Sequence, residues 1–465
     1  MNTAVIIAIL VIYMGFMLYI GWRGQKYAKT TKDFLTAGKR GTIRLNAGSY
    51  LGGHVGTGIV IGGATYGATV GIGGAWYGLS CAFAYMLFAF VTARWAYDNN
   101  YLTIPQYLRK RFPDTGKAMT AVWSCLGACV AITTLCGQII AGRALFTYLG
   151  IDPTIGSIIS VVVICLYCSA AGMFGVIATD FWQSVIILGG LVFAMFFCLG
   201  NGGWSMTTST LGSDFMNFMP FSAEAWLLMT LPTAIYGITN GASMQLTASA
   251  KDRKTAFWAP IVGAVAVAIF TMMPVMLGMY GAVAFPDADS SHIMFTVIMS
   301  LPTIVAGLML AAIVAAVMST CDTTVMTITT QIVFDLYGGV IAPAMGKNPD
   351  DKKMKKACSW MSWILMGIAL LLAFGFNDII TVLSSGYTLW VAGGMVPFLF
   401  GRFWKKTTGV GALSSMFTGA LFALLNMKGI THFLTSLFCL IPAAIVCVIV
   451  SLCTQKKEPA ETKAE

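Results

Sequence analysis

The chain has 465 residues, of which 57% are apolar and only 10% charged, with a formal net charge of +10. A soluble domain carries about 25% charged residues. This composition, with a mean hydropathy of +0.80, therefore excludes a soluble multidomain enzyme, a disordered scaffold and a secreted disulfide module, and leaves an all-α polytopic membrane protein.

A bilayer-spanning helix takes about 20 mostly apolar residues. The sequence predicts thirteen such segments, at about 3–21, 45–70, 74–97, 117–146, 153–171, 173–199, 224–248, 255–284, 302–334, 357–375, 378–401, 408–427 and 430–453. The first has no basic n-region and no small-residue cleavage site, so it is expected to be a retained helix rather than a leader. The hydrophilic stretches between segments are short. The whole chain, 1–465, reads as one transmembrane domain ending in a tail over 454–465.

The loop charges predict orientation. Of the 28 Lys and Arg residues, 26 fall on one set of alternate loops, and only Arg143 and Lys428 fall on the other. By the positive-inside rule the N-terminus is expected outside and the C-terminus in the cytoplasm, in a plasma membrane of bacterial inner-membrane type. The positive charge is thus explained by topology. It calls for a lipid bilayer and no nucleic acid as partner, and no obligate protein partner is inferred.

Two segments are poorly suited to being continuous helices. Eleven glycines lie between Gly48 and Gly74, and each costs a helix interior about 1 kcal/mol relative to alanine, which predicts an unwound stretch near Gly52–Gly58. Pro232, Gly237 and Gly241 interrupt the seventh segment. Small-residue packing between helices explains some of these glycines. Yet the two segments open successive groups of five, helices 2–6 over 45–199 and helices 7–11 over 224–401. An odd number of helices per group inverts the second relative to the first. Interrupted segments at matching places in two inverted halves point to the substrate and ion sites of a transporter.

Ionisable groups deep in the apolar segments are Asp180, Asp322 and His54. An aspartate at mid-membrane costs roughly 2.5–3.5 kcal/mol and so faces a cavity or a partner. Around Asp322 the run Ser319, Thr320, Thr323 and Thr324 offers hydroxyl oxygens of the kind a small hard cation takes. Sodium fits, and a proton relay through the carboxylates stands as the alternative. For His54 three readings stay open: a packed imidazole, a substrate contact, or a proton carrier. The twelve cysteines lie in or beside apolar runs and act as small hydrophobes. Cys165-x-x-Cys168 has redox spacing but no partner ligands. No nucleophile–base pair, metal-ligand spacing or phosphate loop is present, so the chain is not expected to be an enzyme.

Several stretches resemble the sodium:solute symporter family, whose members share the LeuT-type fold. They are Thr31–Arg40 (TKDFLTAGKR), Gly172–Gln183 (GMFGVIATDFWQ), Gln245–Ala256 with its Lys251-Asp252 pair, Met318-Ser319-Thr320, and Val396–Lys406 (VPFLFGRFWKK). The resemblance implies a sodium-coupled symporter importing a small organic solute by alternating access, with Na+ as the coupling ion. It implies a sodium site from the backbone oxygens of Gly52, Val55 and Ala316 and the hydroxyls of Ser319 and Thr320. A second cation or proton site would use Asp180, Asp322 and Thr323. The solute would sit near His54, Gly56, Thr57, Gly58, Ile59, Tyr77, Thr233, Tyr236, Asn240 and Tyr387, with Trp76, Tyr77, Tyr236, Tyr387 or Trp390 as an aromatic wall.

Sugar-transporting members carry amide side chains where this chain has Ile59 and Thr233, which disfavours sugars. An amino acid, a short carboxylate and a quaternary ammonium solute all stay open. So do proton coupling through Asp180, Asp322 and His54, and a membrane-embedded solute sensor.

Overall fold

The computed structural model describes residues 2–200, 202–375, 379–427 and 436–455, with the backbone alone at His54, Leu228, 379–387, Met427 and 436–437. The described residues are helical and form no strand. One isolated bridge pairs Gly41 with Ala250.

The first helix, α1 (Thr3–Gly24), is capped by Asn2, whose side chain accepts from the Ala4 N–H at 3.1 Å. A capping box of Thr30 and Asp33 opens the short α2 (Thr31–Thr36). The second predicted segment is two helices, α3 (Ile43–His54) and α4 (Thr57–Val70), parted at Val55 and Gly56. Gly56 is extended and has no side chain to cap α4, so the chain simply unwinds there. Next, α5 (Trp76–Phe88) passes through a π-helical stretch into α6 (Arg94–Asp98). The connection beyond holds α7 (Ile104–Arg111), started by the Thr103 cap and Pro105.

The long helices α8 (Gly116–Tyr148) and α9 (Pro153–Leu199) follow. At roughly 1.5 Å per residue the 47 residues of α9 reach about twice the ~30 Å of a hydrocarbon core. The helix turns at Gly172, whose φ of +57° and ψ of −149° suit glycine alone, at the predicted junction between segments five and six.

After α10 (Gly203–Leu211), the seventh predicted segment is again split, into α11 (Ala223–Ile238) and α12 (Gly241–Ser249). Asn240 caps α12 by accepting from the Ser243 N–H at 2.9 Å. Then come α13 (Arg253–Phe270), α14 (Met272–Ala284), α15 (Ile293–Ser300) and α16 (Thr303–Thr329). The ninth predicted segment stops at 334, but the helix does not. It runs on as a π-helical stretch, Thr330–Ile341, into α17 (Ala342–Ala344). The last elements are α18 (Asp351–Ala373), α19 (Ile379–Phe403), α20 (Gly409–Met427) and α21 (Leu440–Thr454). The tail beyond Gln455 lies outside the described residues.

Eight helical stretches among the described residues are long and apolar enough to cross a membrane, with outward faces of exposed Ile, Leu, Val and Phe. The interrupted pairs α3–α4 and α11–α12 need two helices each to match one predicted segment.

Two groups of helices share extensive contacts, and α3 joins both, lying on α9 as extensively as on α13. In one, α3 lies on α13, α4 on α14, and α5 on both α11 and α13. In the other, α16 and α18 each lie against α8 and α9. The groups meet where α3 packs on α9 and α16, and again where α14 packs on α9. Small residues make the contacts close. A methyl at Gly67 would run into the Val275 carbonyl, and one at Gly278 into the Ala64 carbonyl, so α4 and α14 touch backbone to backbone. The packing role of the glycines is therefore real for Gly67, while Gly56 instead makes room at the break for the Thr320 hydroxyl.

Candidate functional site

Where α3 unwinds, its last carbonyls meet the hydroxyls of α16. Ser319 Oγ donates to the Gly52 carbonyl at 2.8 Å and lies 3.2 Å from the Ala316 carbonyl. Thr320 Oγ1 lies 3.4 Å from the Gly53 carbonyl and 3.1 Å from that of Ala316. Val55, fully buried, forms the break itself, its N–H bonded to the Leu51 carbonyl at 2.8 Å. Four of the five residues expected to hold sodium thus share one hydrogen-bonded cluster, with Val55 at its edge. A hydroxyl is both donor and acceptor, so the same oxygens can turn lone pairs toward a small cation.

One turn along α16 the acidic cluster begins. Thr323 Oγ1 is 3.3 Å from Asp180 Oδ2 and 3.3 Å from Asp322 Oδ1. Tyr167 OH donates to Asp322 Oδ2 at 2.8 Å, and Ser49 Oγ donates to Asp180 Oδ2. Both aspartates are fully enclosed, and Asp180 Oδ1 has no hydrogen-bond partner among the described residues. The sequence reading missed Ser49 and Tyr167. Ser49 lies one helical turn before Gly52, which the i, i+3 spacing could have flagged, but Tyr167 carries no sequence signal.

A cavity of about 120 Å³ opens beside these clusters, between α4, α5, α8, α11, α12 and α16. Of the residues expected around the solute, Gly56, Gly58, Ile59, Tyr77, Thr233, Tyr236 and Asn240 line it, as does Trp390. Two residues expected there, Thr57 and Trp76, are not among those that line it. Thr57 Oγ1 donates to Oε1 of Gln138, a lining residue, at 3.1 Å. The Trp76 indole N–H donates to the Phe218 carbonyl at 2.8 Å, and its ring packs on Phe218 and Trp226. The side chains of His54 and Tyr387 lie outside the described residues.

The sequence reading also missed the contribution of α8, through Thr134 and Gln138, and that of Gln331 in the π-helical stretch. Gln331 is 2% exposed, and its Oε1 has no partner among the described residues. Trp390 donates to Thr239 Oγ1 at 3.1 Å, pinning α19 to the break between α11 and α12. Among the described residues, no Lys, Arg, Asp or Glu lines the cavity.

Its polarity comes instead from amides, hydroxyls and helix ends. The first N–H groups of a helix have no carbonyl one turn earlier to bond. Both α4, which starts at Gly56–Gly58, and α12, which starts at Gly241–Ala242, present that end to the cavity.

Next to this cavity is a smaller space lined by Thr103, Ile104, Trp123 and Gln245 and sharing Gly241, Thr327 and Gln331 with it. Alongside sits a buried acid absent from the sequence-based inventory. Asp335 is fully enclosed and pairs with Arg109, NH2 to Oδ1, at 2.9 Å. Arg109 also donates to Thr120 Oγ1 at 3.1 Å. The reading missed Asp335 because it placed the residue just past the end of its segment.

Comparison with known proteins bears on these clusters. The family model for the sodium:solute symporter family matches residues 34–419. An osmoregulated proline transporter (OpuE) of Bacillus subtilis is 26% identical, over 98% of this chain and 96% of its own. A sodium/pantothenate symporter of Haemophilus influenzae is 28% identical over 72% of this chain and 71% of its own. A sodium/proline symporter of Staphylococcus aureus is 25% identical over 76% and 72%. Among solved structures, a Na+-coupled sialic acid symporter in a substrate-bound outward-open state superposes with a TM-score of 0.86. It is 20% identical and covers 97% of this chain and 98% of its own.

Proposed function

Because the chain belongs to the sodium:solute symporter family and is a multi-pass, sodium-coupled solute transporter, we propose that its solute is a small zwitterion of amino-acid type, carried inward with Na+ through the cavity beside α16. The observation that carries this reading is a cavity that receives the N-terminal ends of α4 and α12 and has no Lys, Arg, Asp or Glu among its described lining residues. A carboxylate is favoured at a helix N-terminus by about 0.3–1 kcal/mol, and by up to about 2 kcal/mol where partly buried. The unpartnered Gln331 Oε1 supplies an acceptor for an ammonium N–H. Tyr77, Tyr236 and Trp390 supply aromatic faces that also accept a methylated ammonium. Proline transport by two of the relatives agrees in chemical class.

Gly52, Val55, Ala316, Ser319 and Thr320 would hold the coupling sodium, and Asp180, Asp322 and Thr323 a second cation or a proton. The N-terminus would face outside and the C-terminus the cytoplasm. The two five-helix groups, 45–199 and 224–401, would be inverted repeats. The broken α3–α4 gives carbonyls to the ion cluster and N–H groups to the cavity, and so ties ion binding to solute binding.

The test is uptake of radiolabelled proline into proteoliposomes under an inward Na+ gradient, with other solutes as competitors. Sodium-dependent uptake blocked by small amino acids or betaines, and unaffected by glucose, is expected. Competition by non-zwitterionic carboxylates alone would overturn the zwitterion reading. Uptake that follows pH and ignores Na+ would overturn the ion assignment in favour of protons.

A further inference from the structure

We propose that the cleft at the end of α1, walled by Lys26, Tyr27, Lys29 and Arg40, binds the phosphate headgroup of an anionic phospholipid. The space measures about 410 Å³ and is completed by Asp33 and Gly38. It is separate from the transport cavity and shares no residue with it.

Its chemistry is that of a cation cluster in excess: Lys26, Lys29 and Arg40 against the single carboxylate of Asp33. Lys26 Nζ lies 4.9 Å from the centre of the Tyr27 ring, and the Arg40 guanidinium 4.8 Å from the same ring. Among the described residues no carboxylate pairs with Lys26, Lys29 or Arg40. Asp33, the one acid in the wall, already accepts from the Thr30 N–H at 3.3 Å in the capping box of α2. Three cations against one carboxylate around a concave space leave a positive excess that suits an anion with several acceptor oxygens, and phosphate meets that description.

The arrangement is built rather than incidental. Ala37, Gly38 and Lys39 are all left-handed, with φ of 52°, 57° and 55°, a conformation that alanine and lysine rarely adopt. This run brings Arg40 back over Tyr27. Immediately after Arg40 the chain is fixed by the Gly41 N–H to the Ser249 carbonyl and the Lys251 N–H to the Gly41 carbonyl, both at 2.9 Å.

Position selects a lipid over a free anion. The last turns of the apolar α1 carry Tyr19 and Trp22, exposed side by side with ring centres 6.4 Å apart. Exposed Tyr and Trp mark the membrane–water boundary. Lys26 follows two residues after α1 ends, roughly 3 Å further along at helical rise, which is headgroup level. Juxtamembrane basic clusters there attract anionic lipids.

A bound headgroup would brace several elements at once, because the cleft's own loop is tied to the rest of the molecule. Thr31 donates through its N–H and hydroxyl to Asp351, the Lys355 amine donates to the Ala28 carbonyl, and Phe34 lies against Gly172.

The test is thermal unfolding of the purified full chain in detergent at fixed Na+. Added dioleoylphosphatidylglycerol, dioleoylphosphatidylcholine and inorganic phosphate are compared. Phosphatidylglycerol alone is expected to raise Tm, by about 2–4 °C. The Lys26→Gln/Lys29→Gln variant is expected to lose that rise while keeping the sodium-specific rise of the parent, which shows that it is folded. Should the double variant not be recoverable, Lys29→Gln alone is expected to lose a substantial part of the rise. The proposal is overturned if phosphatidylcholine matches phosphatidylglycerol, if inorganic phosphate gives the same rise, or if the rise survives in the variants.

Discussion

Ser319 shows how much one side chain is asked to do, since its hydroxyl touches the carbonyls of Gly52 and Ala316 at once. Ser319→Ala removes one hydrogen bond, worth about 1 kcal/mol to folding, so the fold should survive. The sodium requirement for uptake should rise about tenfold, corresponding to about 1.4 kcal/mol of lost ion affinity. Sodium titrations of uptake, and of Tm with K+ as control, would show this shift, and an unchanged sodium dependence would remove Ser319 from the site. The Arg109–Asp335 pair gives a second residue-level expectation. Removing one partner strands a buried charge at about 3–5 kcal/mol, whereas replacing both by apolar residues is close to neutral. Arg109→Met should therefore unfold at a distinctly lower temperature than Arg109→Met/Asp335→Leu, and equal losses in the two variants would contradict this. Ser319, Thr320, Asp180 and Asp322 were legible in the sequence because hydroxyls and acids stand out against an apolar background. Tyr167 and Gln331 were not, because a tyrosine or glutamine near a segment end looks the same whether it faces lipid headgroups or a buried carboxylate.

At the scale of elements, glycine and proline density marked both interrupted helices in the sequence, and Gly172 was read correctly as a junction. Glycine count alone could not separate unwinding from packing. Gly56 sits at a break and Gly67 at a backbone contact, and only the neighbouring helix distinguishes them. The π-helical extension of α16 was missed for a related reason: an extra residue in a turn shifts the apolar period without abolishing it, so the segment seemed to end early. Gly172 offers the sharpest test. Its φ and ψ lie where a side chain costs on the order of 1–3 kcal/mol, and a methyl there would also meet the Phe34 carbonyl. Gly172→Ala should sharply reduce the yield of monodisperse protein in size-exclusion chromatography, while Gly189→Ala, at a position with nothing within 4 Å, should leave it unchanged.

For the molecule as a whole, the economy of charge has an energetic counterpart. An ion moving through 100 mV gains about 2.3 kcal/mol, and that gain drives a solute only if both cargoes act on the same moving part. The α3–α4 break touches the ion cluster and the cavity alike. The two groups, α3–α5 with α11–α14 and α8, α9, α16 and α18, meet along α3 and between α14 and α9. The clasp between Gly41 and Ala250 then takes on a mechanical meaning. It joins the entry to α3 with the exit from α12 through paired backbone hydrogen bonds, and Asn46 reinforces it by donating to the Leu246 carbonyl at 2.8 Å. Two helices hinged at their middles but yoked at one end cannot tilt independently there. A tilt of either helix pair at that end would therefore have to carry the other with it, because the Gly41 and Ser249–Lys251 backbone bonds leave them no independent freedom there.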